Sequence, residues 1–330
     1  MSLPRPVTDV LDTALDKVVP AGYSSIGPAL RRRWWPADPP AGALTGRHVV
    51  VTGASRGLGL AAATELARLG ATVHLLGRDQ ARLDQAAAGI RVAVPNADVL
   101  PETCDVSDLD DVRAYAARTV ESVPRLHALV HNAGVMPPSR TESAQGHELT
   151  LATHVVGPLL LTELLRPALA AADDSRVLVM SSGGMYSAPL QASWAHDLQY
   201  REGTYRGIRA YARTKRLQVL LAEQLATRLA ADGVVVHSMH PGWASTEGIA
   251  ESMPGFNRVV RPILRDARSG ADTLVWLTAS PEATTSTGLF WADRRPRSTT
   301  YLPWSTEDPQ LRRQVWDAVA TMAGIEHAPA

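Results

Sequence analysis

Three residue types at suggestive spacing could together move a proton at a carbonyl group: Ser182, closing an apolar run, and Tyr211 and Lys215, four positions apart. Positions i and i+4 share one helical face, so the tyrosine hydroxyl and the lysine ammonium can reach one site. Free tyrosine has a pKa of about 10, and a nearby cation stabilises the phenolate; a fall of about two to three units corresponds to roughly 3–4 kcal/mol. Ser182 would then hold and polarise a carbonyl oxygen while Tyr211 exchanges its proton. A lone Tyr-x-x-x-Lys is more often an exposed helix face, so its meaning depends on the rest of the chain.

Far upstream lies Thr52-Gly53-Ala54-Ser55-Arg56-Gly57-Leu58-Gly59, between a β-branched run and an alanine-rich run of helical composition. A strand, a glycine turn and a helix start aim the first helical N–H groups at the loop, where a phosphate is favoured. One glycine serves a tight turn, one the close approach of a pyrophosphate, and one the contact of helix with strand. A glycine-rich turn after a strand is often only a turn, but this one opens a βαβ unit.

The second strand of that unit ends at Gly77-Arg78. An acid there would bond a ribose 2′-hydroxyl, whereas an arginine would pair a 2′-phosphate, so Arg78 with Arg56 favours NADP over NAD. Asp79, the next residue, argues the other way and also suits a helix N-cap. After the third strand, Cys104-Asp105-Val106 places an aspartate where it could accept from an adenine amine. After the fourth, His131-Asn132-Ala133-Gly134 brings an amide and small residues where backbone must approach a cofactor. Both positions also fit ordinary turn chemistry.

The elements that must position these residues alternate. Strand-like runs cover 48–51, 72–76, 99–104, 128–130, 176–180, 234–238 and 289–291, and helix-like segments cover 58–69, 79–88, 109–121, 144–170, 210–231 and 267–279. Such alternation predicts an α/β chain with right-handed crossovers: one doubly wound Rossmann-type domain over 47–300, with a seven-stranded parallel sheet and helices on both faces. Residues 1–46 form an N-terminal extension. In it Val7, Val10, Leu11, Ala14, Leu15 and Val18 recur at helical spacing, before Arg31-Arg32-Arg33-Trp34-Trp35. The arm either packs its apolar stripe and tryptophans on the main domain, the preferred reading, or sits at a membrane surface or partner through Arg31 to Trp35. Residues 301–330 form a helical tail with Ser305 and Thr306 as candidate caps.

The 330 residues carry 33 basic and 33 acidic side chains, which argues against nucleic acid recruited by overall charge. The single cysteine, Cys104, cannot form an internal disulfide, which fits a reducing compartment. No run approaches a membrane span, and the first residues lack a basic region followed by an apolar one. A soluble cytoplasmic protein without a metal site is expected.

Thr52-Gly53-x-x-x-Gly57-x-Gly59, Asn132-Ala133-Gly134, Ser182, Tyr211-x-x-x-Lys215 and Pro241-Gly242 resemble, in order and spacing, the short-chain dehydrogenase/reductase family over about residues 46–300. Ser181-Ser182-Gly183-Gly184-Met185, Met239-His240-Pro241-Gly242-Trp243-Ala244, Met253-Pro254-Gly255-Phe256 and Gly270-Ala271-Asp272-Thr273 resemble its dehydrogenase/reductase member 12 subgroup. The resemblance implies that Tyr211 is the acid/base, that Lys215 lowers its pKa and bonds the nicotinamide ribose, and that Ser182 orients substrate. It also implies that Thr246, in a Pro-Gly-x-x-x-Thr pattern, contacts the nicotinamide carboxamide, and that helices 144–170 and 210–231 pair across a homo-oligomer.

Two departures from the family pattern stand out. His154 occupies the place of an asparagine that holds a water in the proton relay; an imidazole could serve there, or the change could mark lost turnover. The interval from Ser182 to Tyr211 is long, and its Met185, Tyr186 and Trp194 could form one wall of a lipophilic pocket, with Trp243, Met253 and Phe256 forming another. These residues could equally be core filler. The stretch 243–261, with Gly248, Pro254 and Gly255, reads as a mobile lid. The leading reading is an NADP(H)-dependent oxidoreductase for a lipophilic alcohol or carbonyl, and the alternative is a non-catalytic NADP-binding sensor or scaffold.

Overall fold

The apolar, β-branched runs form the strands of one sheet in a computed structural model that describes residues 5–245, 260–300 and 307–325. The strands are β1 (His48–Thr52), β2 (Thr72–Gly77), β3 (Val99–Thr103), β4 (Ala128–His131), β5 (Arg176–Met180), β6 (Val235–Met239), β7 (Phe290–Ala292) and β8 (Arg295–Arg297). Their spatial order is β3-β2-β1-β4-β5-β6-β7-β8, parallel from β3 to β7, with β8 antiparallel at the edge. The doubly wound sheet is as expected, but it has an eighth strand. Arg295-Pro296-Arg297 has no strand pattern, and proline is tolerated only on such an edge. Its two-residue turn usually contains glycine or asparagine. Here Asp293 and Arg294 take positive φ values of 50° and 56°. Ion pairs hold both: Asp293 with Arg31 and Arg265, Arg294 with Asp272 at 2.8 Å.

The arm forms α1 (Arg5–Lys17), α2 (Val19–Tyr23) and α3 (Ile26–Arg31). The crossovers contain α4 (Gly57–Arg68), α5 (Gln80–Ala93), α6 (Leu109–Ser122), α7 (Leu149–Leu151), α8 (Gly157–Ala170), α9 (Ala192–Ala195), α10 (Gly207–Arg228) and α11 (Ala267–Ala279); α12 (Pro309–Ala323) ends the described chain. Alternate strand residues face opposite sides of the sheet. Val50, Val177 and Val179 join a core with α6, α8, α10 and α12, while Val49, Val51, Leu178 and Met180 join one with α4, α5 and α11. Asp79 caps α5 by accepting from the Arg82 N–H at 3.1 Å.

Two helix starts differ from expectation. The helix expected from 144 begins at Leu149, because the Glu148 carboxylate accepts from the N–H groups of Thr150 and Leu151, and the Gln145 side chain is held by Asp108 and Leu109. Asp308 caps α12, while Ser305 and Thr306 lie outside the described residues. Among the described residues, no helix is long and apolar enough to cross a membrane.

The arm corrects a second expectation. Its α1 buries Thr8 and Asp12 and exposes Val7, Val10 and Leu11, with Val18 exposed just after it, the reverse of an apolar stripe turned inward. Asp12 bonds Arg31 at 2.8 Å and pairs with Arg297, and Arg31 continues to Asp293 and to the Gly22 carbonyl at 3.1 Å. Charge rather than apolar area seats the helix. The tryptophans do pack: Trp34 and Trp35 are half-buried, and the Trp35 ring lies 4.8 Å from the Arg294 guanidinium.

Candidate active site

The glycine loop joins β1 to α4 at the point where the strand order reverses, between the carboxyl ends of β1 and β4. Gly53 and Gly57 have φ of +66° and +58°, which side-chain-bearing residues seldom adopt. A Cβ on Gly59 would lie 2.3 Å from the Gly53 carbonyl oxygen, so helix and turn touch directly. Asn132 fastens this turn: its side-chain amide donates to the carbonyls of Thr52 at 2.9 Å and Gly53 at 3.2 Å. The N–H groups of Asn132 and Ala133 both donate to the Thr52 hydroxyl at 3.0 Å. Asn132 thus shapes the crevice. Ser55 lines the turn half-buried, Arg56 is exposed before the first turn of α4, and Leu58 packs toward Gly270 of α11. A bare helix N-terminus behind a backbone-lined turn fits a phosphate.

At the carboxyl end of β2, Arg78 extends with its side chain 62% exposed, 3.7 Å from the Asp105 carboxylate. The other Asp105 oxygen accepts from the Ser107 N–H and hydroxyl. Val106 is buried, and a Cβ on Gly157 would fall 1.7 Å from its carbonyl oxygen, so α8 runs hard against this turn.

Ser182 lies two residues past β5, and Tyr211 and Lys215 share a face of α10, as the spacing predicts. The Ser182 oxygen accepts from the Gly184 N–H at 3.1 Å, and its hydroxyl bonds Tyr211. Lys215 Nζ stands 5.3 Å from the centre of the Tyr211 ring and donates to the Met180 carbonyl at 2.8 Å and to Gln218 Oε1 at 2.9 Å. Burial pushes the Lys215 ammonium down to about 7. Burial also holds the Tyr211 hydroxyl above its ordinary range, the Ser182 hydrogen bond working weakly against it. Burial thus sets the direction for the tyrosine, opposite to the lowering expected. Two polar residues of this cluster escape sequence reasoning. Gln218, one turn beyond Lys215, could have been found by its i+3 spacing; Ser181, whose hydroxyl donates to the Lys215 carbonyl at 2.7 Å, looks like any serine at a strand end.

His154 sits in a π-helical turn, Ala152–Val156, ahead of α8. Such turns recur at functional sites. Its Nε2 accepts from the Val135 N–H at 3.0 Å, so the proton lies on Nδ1, 2.8 Å from the Thr214 hydroxyl. Burial and then the Lys215 charge push its pKa well down. Its ring meets Tyr211 edge to face at 5.6 Å. Both nitrogens are engaged within the protein, one accepting and one donating. His154 ties the turn after β4, including Gly134, to the tyrosine.

Of the expected pocket walls, Met185 and Trp194 belong to the core. Met185 is fully buried with Val219 and Phe290, and Trp194 joins the main cluster with its indole N–H on the Pro189 carbonyl. Tyr186 is half-buried and donates to the Ser298 carbonyl at 2.6 Å. After β6, the Gly242 N–H beyond Pro241 donates to His240 Nδ1 at 3.2 Å. Trp243 is half-buried, with its N–H on the Tyr23 carbonyl at 2.7 Å. Arg265 pairs through backbone bonds of 2.8 Å with Trp243 and Ser245, so the start of the expected lid is anchored. Thr246, Met253 and Phe256, with Gly248, Pro254 and Gly255, lie outside the described residues.

The arm supplies a residue here that no local pattern announces. The Tyr23 ring stacks on His240 at 4.6 Å and lies so close to Gly183 that a Cβ there would be 2.2 Å from its Cε1. Elsewhere, a groove of about 820 Å³ opens between Arg32–Pro39 of the arm and helices α4 and α11, away from Ser182, Tyr211 and Lys215.

Residues 47–195 match the family described as short chain dehydrogenase. The chain is 38% identical over 264 residues to human Dehydrogenase/reductase SDR family member 12, covering 80% of this chain and 81% of that one. It is 32% identical over 284 residues to human Retinol dehydrogenase 12, covering 86% and 88%. A short chain dehydrogenase from Escherichia coli CFT073, solved in complex with NADPH, superposes with a TM-score of 0.62 at 25% identity, covering 78% of this chain and 100% of that one. Loop, serine, tyrosine and lysine are thus joined to a sequence likeness running through most of the chain, and the chain belongs to the short-chain dehydrogenase/reductase family of oxidoreductases.

Proposed function

We propose that this protein interconverts a lipophilic alcohol and its ketone or aldehyde with NADP(H), using Tyr211 as acid/base. The observation that carries the reading is the Ser182–Tyr211–Lys215 cluster, its lysine buried and its serine and tyrosine half-buried, linked through His154 to the turn beside the expected cofactor crevice. Bound nicotinamide would supply or accept hydride. The chain's own share is proton management. Ser182 bonds the tyrosine and would hold a carbonyl oxygen beside it. Tyr211, held protonated through neutral pH, stands ready as a donor for reduction. Lys215, pushed down to about 7, would carry a proton toward the same site. Gly53, Gly57, Gly59 and the α4 N-terminus would seat the pyrophosphate. Pro241, Gly242 and Thr246 would border the nicotinamide.

NADP is favoured over NAD because Arg78 follows β2 and Arg56 lies in the glycine loop, where either would meet a 2′-phosphate, while Asp79 is used as a cap. The largely exposed Arg78–Asp105 pair is weak and leaves the guanidinium available to a 2′-phosphate. The rings of Tyr23 and Trp243 support an apolar substrate, as does a relative named for retinol.

The test is reduction of a panel of lipophilic ketones and aldehydes with NADPH and with NADH, by wild type and Tyr211→Phe. Turnover should require NADPH and fall by about 10²–10⁴-fold in the variant, with NADPH affinity preserved. Undiminished turnover by the variant would sink the mechanism. A non-catalytic NADP-binding role is favoured by one observation, the engagement of both His154 nitrogens, and predicts NADPH binding without turnover.

A further inference from the structure

One face of the arm is unused by the site. In α1 the acids Asp9, Asp12 and Asp16 recur at intervals of three and four and so share one side of the helix. All three are engaged: Asp9 with Arg295 at 2.6 Å, Asp12 with Arg31 and Arg297, and Asp16 with Arg297 at 3.7 Å. Val7, Val10, Leu11, Ala14 and Val18 fall on the opposite side, where Val10 is 70% and Val18 55% exposed. An amphipathic helix on a protein surface normally buries its apolar stripe. This one is turned over and held by charge.

The exposure is local. Six of the ten large apolar side chains exposed among the described residues lie between Val7 and Ile26. Every acid of α1 is engaged by an arginine, so among the described side chains of that helix the exposed charge left is Lys17. An apolar stripe with a lysine at its end has the chemistry of a helix lying in the headgroup layer of an anionic bilayer. A second copy of the face would offer Lys17 no free α1 acid to pair with.

We propose that the outward face of α1 docks this protein on an anionic lipid surface, with Val7, Val10, Leu11 and Val18 entering the interface and Lys17 meeting the headgroups. The Arg31–Trp35 segment is not the contact, since Arg31 is buried and Trp35 packs under Arg294. The arm that docks is also the arm that sets Tyr23 beside Gly183, so surface contact and active site share one short stretch of chain.

The test is flotation of the full chain with vesicles of phosphatidylcholine mixed with phosphatidylglycerol, and of phosphatidylcholine alone. It needs no turnover, so its failure is distinct from failure of the oxidoreductase reading. Wild type should float with the mixed vesicles and be released by high salt. A V10E/L11E double variant should stay with the unbound protein while keeping the wild-type thermal midpoint. Should that variant misfold, Lys17→Glu, a reversal at an exposed position, should lower the floated fraction. Wild type that does not float, flotation equal on neutral vesicles, or variants that float like wild type would each overturn the proposal. A wild-type dimer that V10E/L11E converts to monomer on size-exclusion with light scattering would also overturn it, by assigning the face to a second copy.

Discussion

Lys215 carries its charge at a cost set by its surroundings, the Met180 carbonyl and Gln218 in an otherwise buried pocket. Its ordinary value of 10.5 falls to about 7 on folding, so between these pH values the unfolded chain binds more protons and stability rises with pH. Denaturant unfolding of wild type and Lys215→Met across that range should show the wild-type advantage growing as pH increases; a constant difference would mean that the amine is not buried as described. At this scale the sequence was informative wherever chemistry is local. Ser182, Tyr211, Lys215 and the glycines are recognised by type and spacing, because a helix face and a tight turn impose them. The surroundings of His154 were not legible, because its two partners, the Val135 N–H and Thr214, are set by how α8, α10 and the turn after β4 meet. Those of Arg31 were not legible for a similar reason: it sits beside tryptophans in sequence, but its buried partner Asp293 is 262 positions away.

Among the elements, the β7–β8 hairpin shows how charge can replace glycine. Burial pushes the Asp293 carboxyl up, and the guanidiniums of Arg265 and Arg31 more than reverse that, holding it below the usual range. Asp293→Ala would leave the buried Arg265 guanidinium without a carboxylate, and Arg31 with Asp12 alone, at a turn already in the left-handed region. We expect a loss of about 3–5 kcal/mol in urea unfolding. A loss under about 1 kcal/mol, the scale of an exposed pair, would show that the network is solvated. The central parallel strands were legible because strands covered on both faces read as unbroken apolar runs. The last strand was not, because neither Arg295-Pro296-Arg297 nor its glycine-free turn carries a local signal. For α1 the helical period was legible but the direction was not: periodicity gives two faces, and the arginines of α3 and β8 decided which one turned inward.

Over the whole molecule, α12 lies against α8, α9 and α10 and buries Val315, Val319, Ala320 and Ala323 in their shared core. Glu307 before it pairs with the buried Arg216, the residue after Lys215, so the tail is fastened to α10. The family resemblance implied pairing of α8 and α10 across subunits, and here α12 already packs on both. Removing residues 307–330 should therefore lower stability by about 3–6 kcal/mol from the two valines alone and cause self-association, read by thermal unfolding and light scattering. An equally stable monomer would show that the helix is peripheral. The joint between Arg31 and Asp293 also bears on how the chain comes to be made. During synthesis the arm emerges first, yet its buried acceptor is translated 262 residues later, so the arm has nowhere to settle until β7 has been added to the sheet. Tyr23 reaches Gly183 by way of that arm. The crevice and the tyrosine–lysine helix can form earlier, but the serine side of the site is completed only when the first part of the chain is locked to nearly the last, which makes its completion a late step of folding.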